Sequence, residues 1–438
     1  MFVCVIIKML MAGVPAGKGR DMRHYNIGII GAGASGMMAA IAAKEENPLC
    51  SICIAERNPD AGKKLLATGN GRCNYLNKNA GPGRYFSRGG NADEFTGKLF
   101  EAISVDTLIE KFRALGIEPF EEAEGRLYPR SLQAASVVNA LEIGIKKSGA
   151  ELLLSFYAKD VKKTQAGFEV TAEDGRAFSC DKLILTTGGK GGISYGSSGD
   201  GYKFAMNMGC KAVKPIPALT KLVALENLQP LFGVRVNGRI RLLKKCGAEA
   251  ARCCAADSGE IQFTNEWISG ICTMNISRFY EIEENTKYEV EIDFFEDIPE
   301  EKLLEMLKSR KESLREERAE MFFNGLLPEK LGVYLLSRAG ITDRRAQIAS
   351  FDDELIKTIA ALCKGLKFGI VGTAGWKDTV STAGGMAIDR VDVNTMESKD
   401  VPGLFFAGEI LDIDALCGGY SLSFAFASGL TAGLAAAK

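Results

Sequence analysis

The chain has 438 residues, a formal net charge of -1, 46% hydrophobic and 25% charged residues. That length supports more than one core, and near-neutral charge gives no global pull toward nucleic acid or an anionic membrane. No apolar run approaches the ~20 residues that span a bilayer. The single histidine, His24, precedes the first predicted strand, so an interior Ser-His-Asp triad or a histidine-based zinc site is excluded. The chemistry falls to a cofactor or to Tyr, Lys, Cys and carboxylates.

Residues 1–22 read as a disordered extension, or as an upstream start ahead of Met22. Nothing basic precedes the apolar residues 2–7, as a signal peptide would require. The 12 cysteines are scattered without a secretory signal and read as reduced cytoplasmic thiols. Cys50 and Cys53 form a CxxC, but it overlaps an apolar strand, so at least one thiol is expected to be buried and unreactive. Cys253 and Cys254 have no partner pair at zinc spacing, and no metal site is expected.

Residues 25–30 form an apolar β-type run, followed at once by Gly31-Ala32-Gly33-Ala34-Ser35-Gly36. An alanine-rich helix over 37–46 stops at Asn47-Pro48, and a second strand over 51–55 ends at Glu56. This context makes the GxGxxG pattern specific for a dinucleotide. Gly31 permits a tight turn, Gly33 lets a pyrophosphate approach, and Gly36 allows close helix–strand contact. Ala34 and Ser35 open the helix whose N–H groups face the phosphates, and Glu56, with Arg57 beside it, is spaced to bind a ribose hydroxyl.

The next segment, residues 63–74, is glycine- and amide-rich and too polar for a core. Its Lys64, Leu65, Thr68, Gly69, Asn70, Arg72, Cys73 and Asn74 are candidate contacts for a flavin dinucleotide. Here the chain resembles the family of aminoacetone-oxidase-like and bile-acid-reductase-like NAD(P)/FAD-dependent oxidoreductases, whose second motif reads GxKLLxTGNGRCNxxN. The resemblance implies an α/β fold: a two-dinucleotide-domain-type Rossmann FAD domain, with an inserted, mainly antiparallel β domain and a small helical insert. It places the FAD domain at 23–210 and 385–438, the β-rich substrate domain at 211–297 and 368–384, and the helical insert at 298–367.

Residues 149–171 read as strand, turn and strand, with Ala158 where the family's backbone meets adenine. A buried strand over 183–187 ends in Thr187-Gly188-Gly189, like the family's return to the FAD sheet. Residues 190–209 resemble the GG…TGDGxxMA stretch of fumarate-reductase-like and ketosteroid-dehydrogenase-like flavoproteins. No second strand-GxGxxG unit is visible, so NADH or NADPH, the implied transient electron donor, is expected to dock at the flavin face. Residues 211–295 alternate apolar and polar, with turns expected at 236–238 and 257–259. Residues 259–271 resemble the family's GExLFTHxGxSGP, with Asn265 replacing its His and Ile271 its Pro. Residues 298–323 form a charged amphipathic helix carrying Leu303, Leu304, Leu307 and Leu314, joined by helices over 328–340 and 353–367.

The C-terminal stretch resembles TMESKxVPGLYFAGEVLDVDGxxGGYNLQ. Its Gly408, Glu409 and Asp412 are implied flavin contacts, with Glu409 on a ribitol hydroxyl. Gly419, Tyr420, Ser421 and Leu422 open a helix whose N–H groups meet the flavin pyrimidine edge; Ser421 stands where the family has Asn. The resemblance implies NAD(P)H-driven reduction of an activated C=C in a small hydrophobic enone, such as a dehydro-bile acid or other steroid. A protein acid, Tyr195 or Tyr420, would protonate the α-carbon. The alternative is a flavin amine oxidase acting on a small aminoketone such as aminoacetone with O2. An RNA-modifying reading is disfavoured by the absence of a basic stripe.

Overall fold

The computed structural model describes residues 22–438; the extension predicted over 1–22 lies, except for its last residue, outside the described residues. The first strand, β1 (Arg23–Ile30), runs into the glycine turn and then helix α1 (Ala34–Glu46), which returns to β2 (Ile52–Ala55). β1 is the middle of a seven-stranded mixed sheet, paired in parallel with β2 on one side and with Ala177–Leu185 on the other. The latter strand divides its free edge. Its first half pairs antiparallel with Gly167–Ala172, and its second half pairs parallel with Leu404–Phe406. Strands from near both ends of the described chain are thereby hydrogen-bonded into one sheet, with five parallel carboxyl ends, that of Glu151–Leu153 included, delivered to the same side. In an open α/β sheet that side carries the ligand crevice.

Helix α1 is buried all round from Ser35 to Ala43, which explains its alanine-rich, non-amphipathic sequence. It packs on the C-terminal helix (Tyr420–Ala436) at backbone distance. A side-chain carbon added at Gly429 would lie 2.4 Å from the Ser35 carbonyl oxygen, and one at Gly433 would lie 2.2 Å from that of Ala39. Residues four apart share one helix face, so these two glycines form the contact strip. Gly433→Ala is expected to lower the unfolding free energy by about 1–3 kcal/mol. Denaturant titration checks this, and an unchanged midpoint would contradict the close packing.

The second core is a closed six-stranded antiparallel barrel with the short helix Ile271–Ile276 and three longer helices against it. Thr286–Asp293 turns Tyr288, Val290 and Ile292 inward, and Leu366–Thr373 turns Leu366, Phe368 and Ile370 inward, the period of two expected of strands with one wet face. Helix Glu300–Ser313 buries Leu303 and Leu307, one turn apart, while Glu329–Arg338 and Asp353–Lys364 complete the helical layer. A two-stranded ribbon, Ala212–Ala218 with Ser381–Met386, joins barrel to Rossmann unit.

The turns expected at 236–238 and 257–259 are not turns. Both lie within 12-residue strands, Arg235–Cys246 and Arg252–Phe263, and Gly238 pairs directly with Gly259. The chain reverses instead at 247–249. Gly238 serves close approach: a side-chain carbon there would meet the Asp293 carbonyl oxygen at 2.6 Å, the kind of contact that puts glycine inside a strand. No described helix is long and apolar enough to cross a membrane.

Candidate cofactor and active site

The loops after the parallel strands line an open cleft. At its centre the glycine turn is tied down by backbone bonds. Gly31 N donates to the Ala55 carbonyl (2.8 Å), and the Thr186 hydroxyl donates to the carbonyls of Ile30 (2.9 Å) and Gly31 (2.8 Å). Gly36 faces this turn: an added side-chain carbon would sit 1.9 Å from the Gly31 oxygen. Gly33 faces the cleft, with nothing within 4 Å of such a carbon. The first turn of α1 carries no acidic residue, leaving its free N–H groups and partial positive charge open to an anion.

One end of the cleft is built on Glu56, 7% exposed at the end of β2. It accepts from Ala32 N (2.8 Å) and from the backbone and side chain of Asn58 (2.8 and 2.7 Å). Arg57 lies 4.2 Å over the Tyr157 ring and donates to the Gly196 carbonyl (2.9 Å) and Ser198 hydroxyl (2.6 Å). Asn58 donates to the Tyr195 carbonyl (3.2 Å). This fixes residues 195–198 as a cover, with Phe156, Tyr157 and Ala158 lining the wall. Asn58, Phe156 and Tyr157 were not expected from sequence; the only signal was their position beside Glu56 and Ala158.

The other end joins the two chain extremes. Lys64 donates to Glu409 (2.6 Å) and to the Gly191 carbonyl (3.0 Å). Leu65, Thr68, Leu219, Val380 and Ser381 complete this wall, with Ser421 and Leu422 from the start of the C-terminal helix. The Ser35 hydroxyl donates to the Ala407 carbonyl (3.2 Å), stitching α1 to the strand that delivers Glu409. Thr187 and Gly188 line the middle, and Tyr195, 38% exposed, stands at the edge.

Several candidates stand behind the cleft. Gly69, Asn70 and Arg72 sit on a turn in which Arg72 pairs with Glu122 and lies 4.3 Å over Tyr128. Cys73 is fully buried, and burial pushes its thiol up to about 11. Asn74 supports Gly419, where an added side-chain carbon would meet its amide oxygen at 2.5 Å. Gly189 packs on Thr382, and Gly408 donates to Ser428 (2.9 Å). The Asp412 carboxylate accepts from the Ser87 hydroxyl (2.7 Å), Arg88 N (3.1 Å) and Gly89 N (2.8 Å), holding that loop. Tyr420 is 6% exposed, edge-on to Tyr85 at 6.3 Å. Outside the cleft, Cys50 and Cys53 are both buried and burial pushes both thiols up, against any redox role. His24 bonds Ser179 and Asp181 at the start of β1, the opposite end of the sheet from the glycine turn.

The residues present fit FAD on a direct observation. Among the buried polar atoms without a hydrogen-bond partner are Glu409 Oε1 and Thr187 Oγ1, although buried polar atoms are normally paired. Glu409 and Thr187 line the cleft, so a hydroxyl- and amide-rich ligand lying along it would satisfy what the protein leaves open. Removing such a charge-assisted bond costs about 1.5–3 kcal/mol. Glu409→Leu is therefore expected to weaken FAD binding about 10- to 100-fold, as read by titrating deflavinated protein. An unchanged Kd would remove Glu409 from the site.

Residues 25–435 match the family described as the HI0933-like protein Rossmann domain. The chain is 34% identical over 420 residues to the 3-dehydro-bile acid delta(4,6)-reductase of Clostridium scindens, covering 94% of this chain and 99% of that one. It is 27% identical over 416 residues to the ribosomal RNA dihydrouridine synthase of Haemophilus influenzae, covering 94% and 98%. Among solved structures, a 3-ketosteroid-delta4-(5alpha)-dehydrogenase from Rhodococcus jostii aligns at 16% identity with a TM-score of 0.49, covering 97% and 99%.

Proposed function

The chain belongs to the HI0933-like family of FAD-dependent oxidoreductases, and from that premise we propose that it uses NADH or NADPH to saturate a C=C conjugated to a carbonyl in a small hydrophobic enone of the steroid or dehydro-bile-acid class. The observation that carries this reading is the whole-length likeness to a reductase of a dehydro-bile acid. The name of the second relative, a dihydrouridine synthase, also denotes saturation of a C=C. FAD, when bound, supplies the two-electron chemistry.

The chain's own residues do the rest. Gly31, Gly33, Ala34 and Ser35 present backbone to the pyrophosphate, Glu56 and Arg57 hold the adenosine end, and Lys64 with Glu409 holds the ribitol end. Leu65, Leu219, Val380 and Leu422 give this end of the cleft an apolar lining suited to a flat hydrophobic substrate. We place proton donation to the α-carbon on Tyr195, because Tyr420 is packed against Tyr85 behind the wall. The Gly69–Asn74 turn, Gly408 and Asp412 act by shaping the cleft.

RNA is the less favoured substrate, because 54 Lys and Arg are balanced by 55 Asp and Glu. The test is anaerobic. NADH or NADPH should bleach the bound flavin, and a steroid enone should restore its colour. Anaerobic reoxidation by a uridine-containing rRNA fragment alone, or peroxide release from an aminoketone and O2 in a separate aerobic assay without nicotinamide, would overturn the assignment.

A further inference from the structure

The barrel grips the cofactor half of the molecule with a buried charge. Arg278 follows the short helix Ile271–Ile276 and pairs with Asp414, their side chains 2% and 1% exposed. Among the described ion pairs it alone is almost fully buried on both sides. Arg278 Nη2 donates to the Ala415 carbonyl (2.7 Å), Nε donates to the Asn275 carbonyl (2.9 Å), and the guanidinium lies 4.3 Å over the Phe86 ring. Asn275 adds a second tie: its amide donates to Asp257 in the barrel (2.7 Å) and its oxygen accepts from Cys417 N (2.8 Å). Residues 414, 415 and 417 are thus all held from the barrel, immediately before Gly418 and Gly419 turn the chain into the C-terminal helix.

A buried pair is a poor way to add stability, since apolar replacement of both partners is often neutral or better. Burial pushes the Asp414 carboxyl up, with Arg278 opposing and Asp412 and Glu409 adding to the rise. What the pair supplies is one fixed position for one backbone segment.

We propose that Arg278 is a positioning residue for the cofactor: seated on the turn after the short helix that packs on the barrel, it sets the path of residues 412–419 and so where the C-terminal helix presents its first N–H groups to FAD. The proposal rests on the reading that this helix start meets the flavin. The test compares full-length wild type, Arg278→Lys, Arg278→Met and the double variant Arg278→Met/Asp414→Leu, each deflavinated and titrated with FAD beside a thermal melt. Arg278→Met is expected to raise the Kd for FAD at least tenfold, and Arg278→Lys to fall between it and wild type. The double variant should regain the wild-type melting temperature but keep the raised Kd and an altered bound-flavin visible spectrum. A double variant that recovers both, or an Arg278→Met that binds FAD within twofold of wild type, overturns the proposal while leaving the cofactor assignment intact. A wild-type chain that binds no FAD overturns both.

Discussion

Gly36→Ala is expected to abolish FAD binding and depress the melting temperature, whereas Gly33→Ala should leave the melting temperature unchanged and still cut FAD affinity at least tenfold. The two glycines are three residues apart in one motif, but their surroundings differ. A methyl at Gly36 would lie 1.9 Å from the Gly31 carbonyl oxygen and 2.6 Å from the Thr186 hydroxyl. Neither can retreat, because that hydroxyl is itself bonded to the Ile30 and Gly31 carbonyls. Helix α1 must therefore move off the sheet, at an overpacking cost of about 1–3 kcal/mol or more, carrying its N-terminal amides away from the cleft. At Gly33 the backbone is extended (φ -88°), a conformation alanine accepts, and the added methyl meets no protein atom. It occupies space only where a pyrophosphate would approach. Melts and FAD titrations of both variants check this, and equal effects on stability would contradict the assignment of one glycine to packing and the other to ligand.

Tyr195→Phe is expected to slow flavin reoxidation by the enone about 10²- to 10⁴-fold, the usual contribution of a positioned general acid. Flavin reduction by NAD(P)H should stay within about twofold, because no proton reaches the substrate in that half-reaction. The backbone role of Tyr195 survives the change: its carbonyl still accepts from Asn58. The turn carrying it, Ile193–Tyr195, is set by Gly192 and Gly196, both left-handed at φ 80° and 102°. Single-turnover mixing of pre-reduced enzyme with substrate separates the two half-reactions, and an unchanged reoxidation rate would move the donor elsewhere.

The dinucleotide half of the site was legible because a backbone that must approach a phosphate closely shows itself as glycine at fixed offsets, and because Glu56 ends a strand at a predictable distance. The same logic failed in the barrel. Val236-Asn237-Gly238 and Asp257-Ser258-Gly259 carry strong local turn signals, yet tertiary closure uses both glycines in mid-strand, where the Asp293 backbone crosses Gly238. Local signals say that a side chain is excluded; they do not say what excludes it. The cover over Glu56 was illegible for a different reason. Asn58, Tyr157 and residues 195–198 are brought together only by folding. The latch of Arg278 on Asp414 likewise joins residues 136 apart. The loop at 69–74 carries a conspicuous motif, and what its sequence does not show is that Arg72 pairs with Glu122 and that Cys73 is fully buried.

Residues near both ends of the chain are proposed to hold a single FAD. Calorimetric titration of the deflavinated protein with FAD, wild type run beside Gly33→Ala and Glu409→Leu, decides this. One FAD per chain should bind, with each substitution weakening that same event. A protein that stays colourless in excess FAD, or one whose FAD affinity ignores either substitution, would contradict the claim.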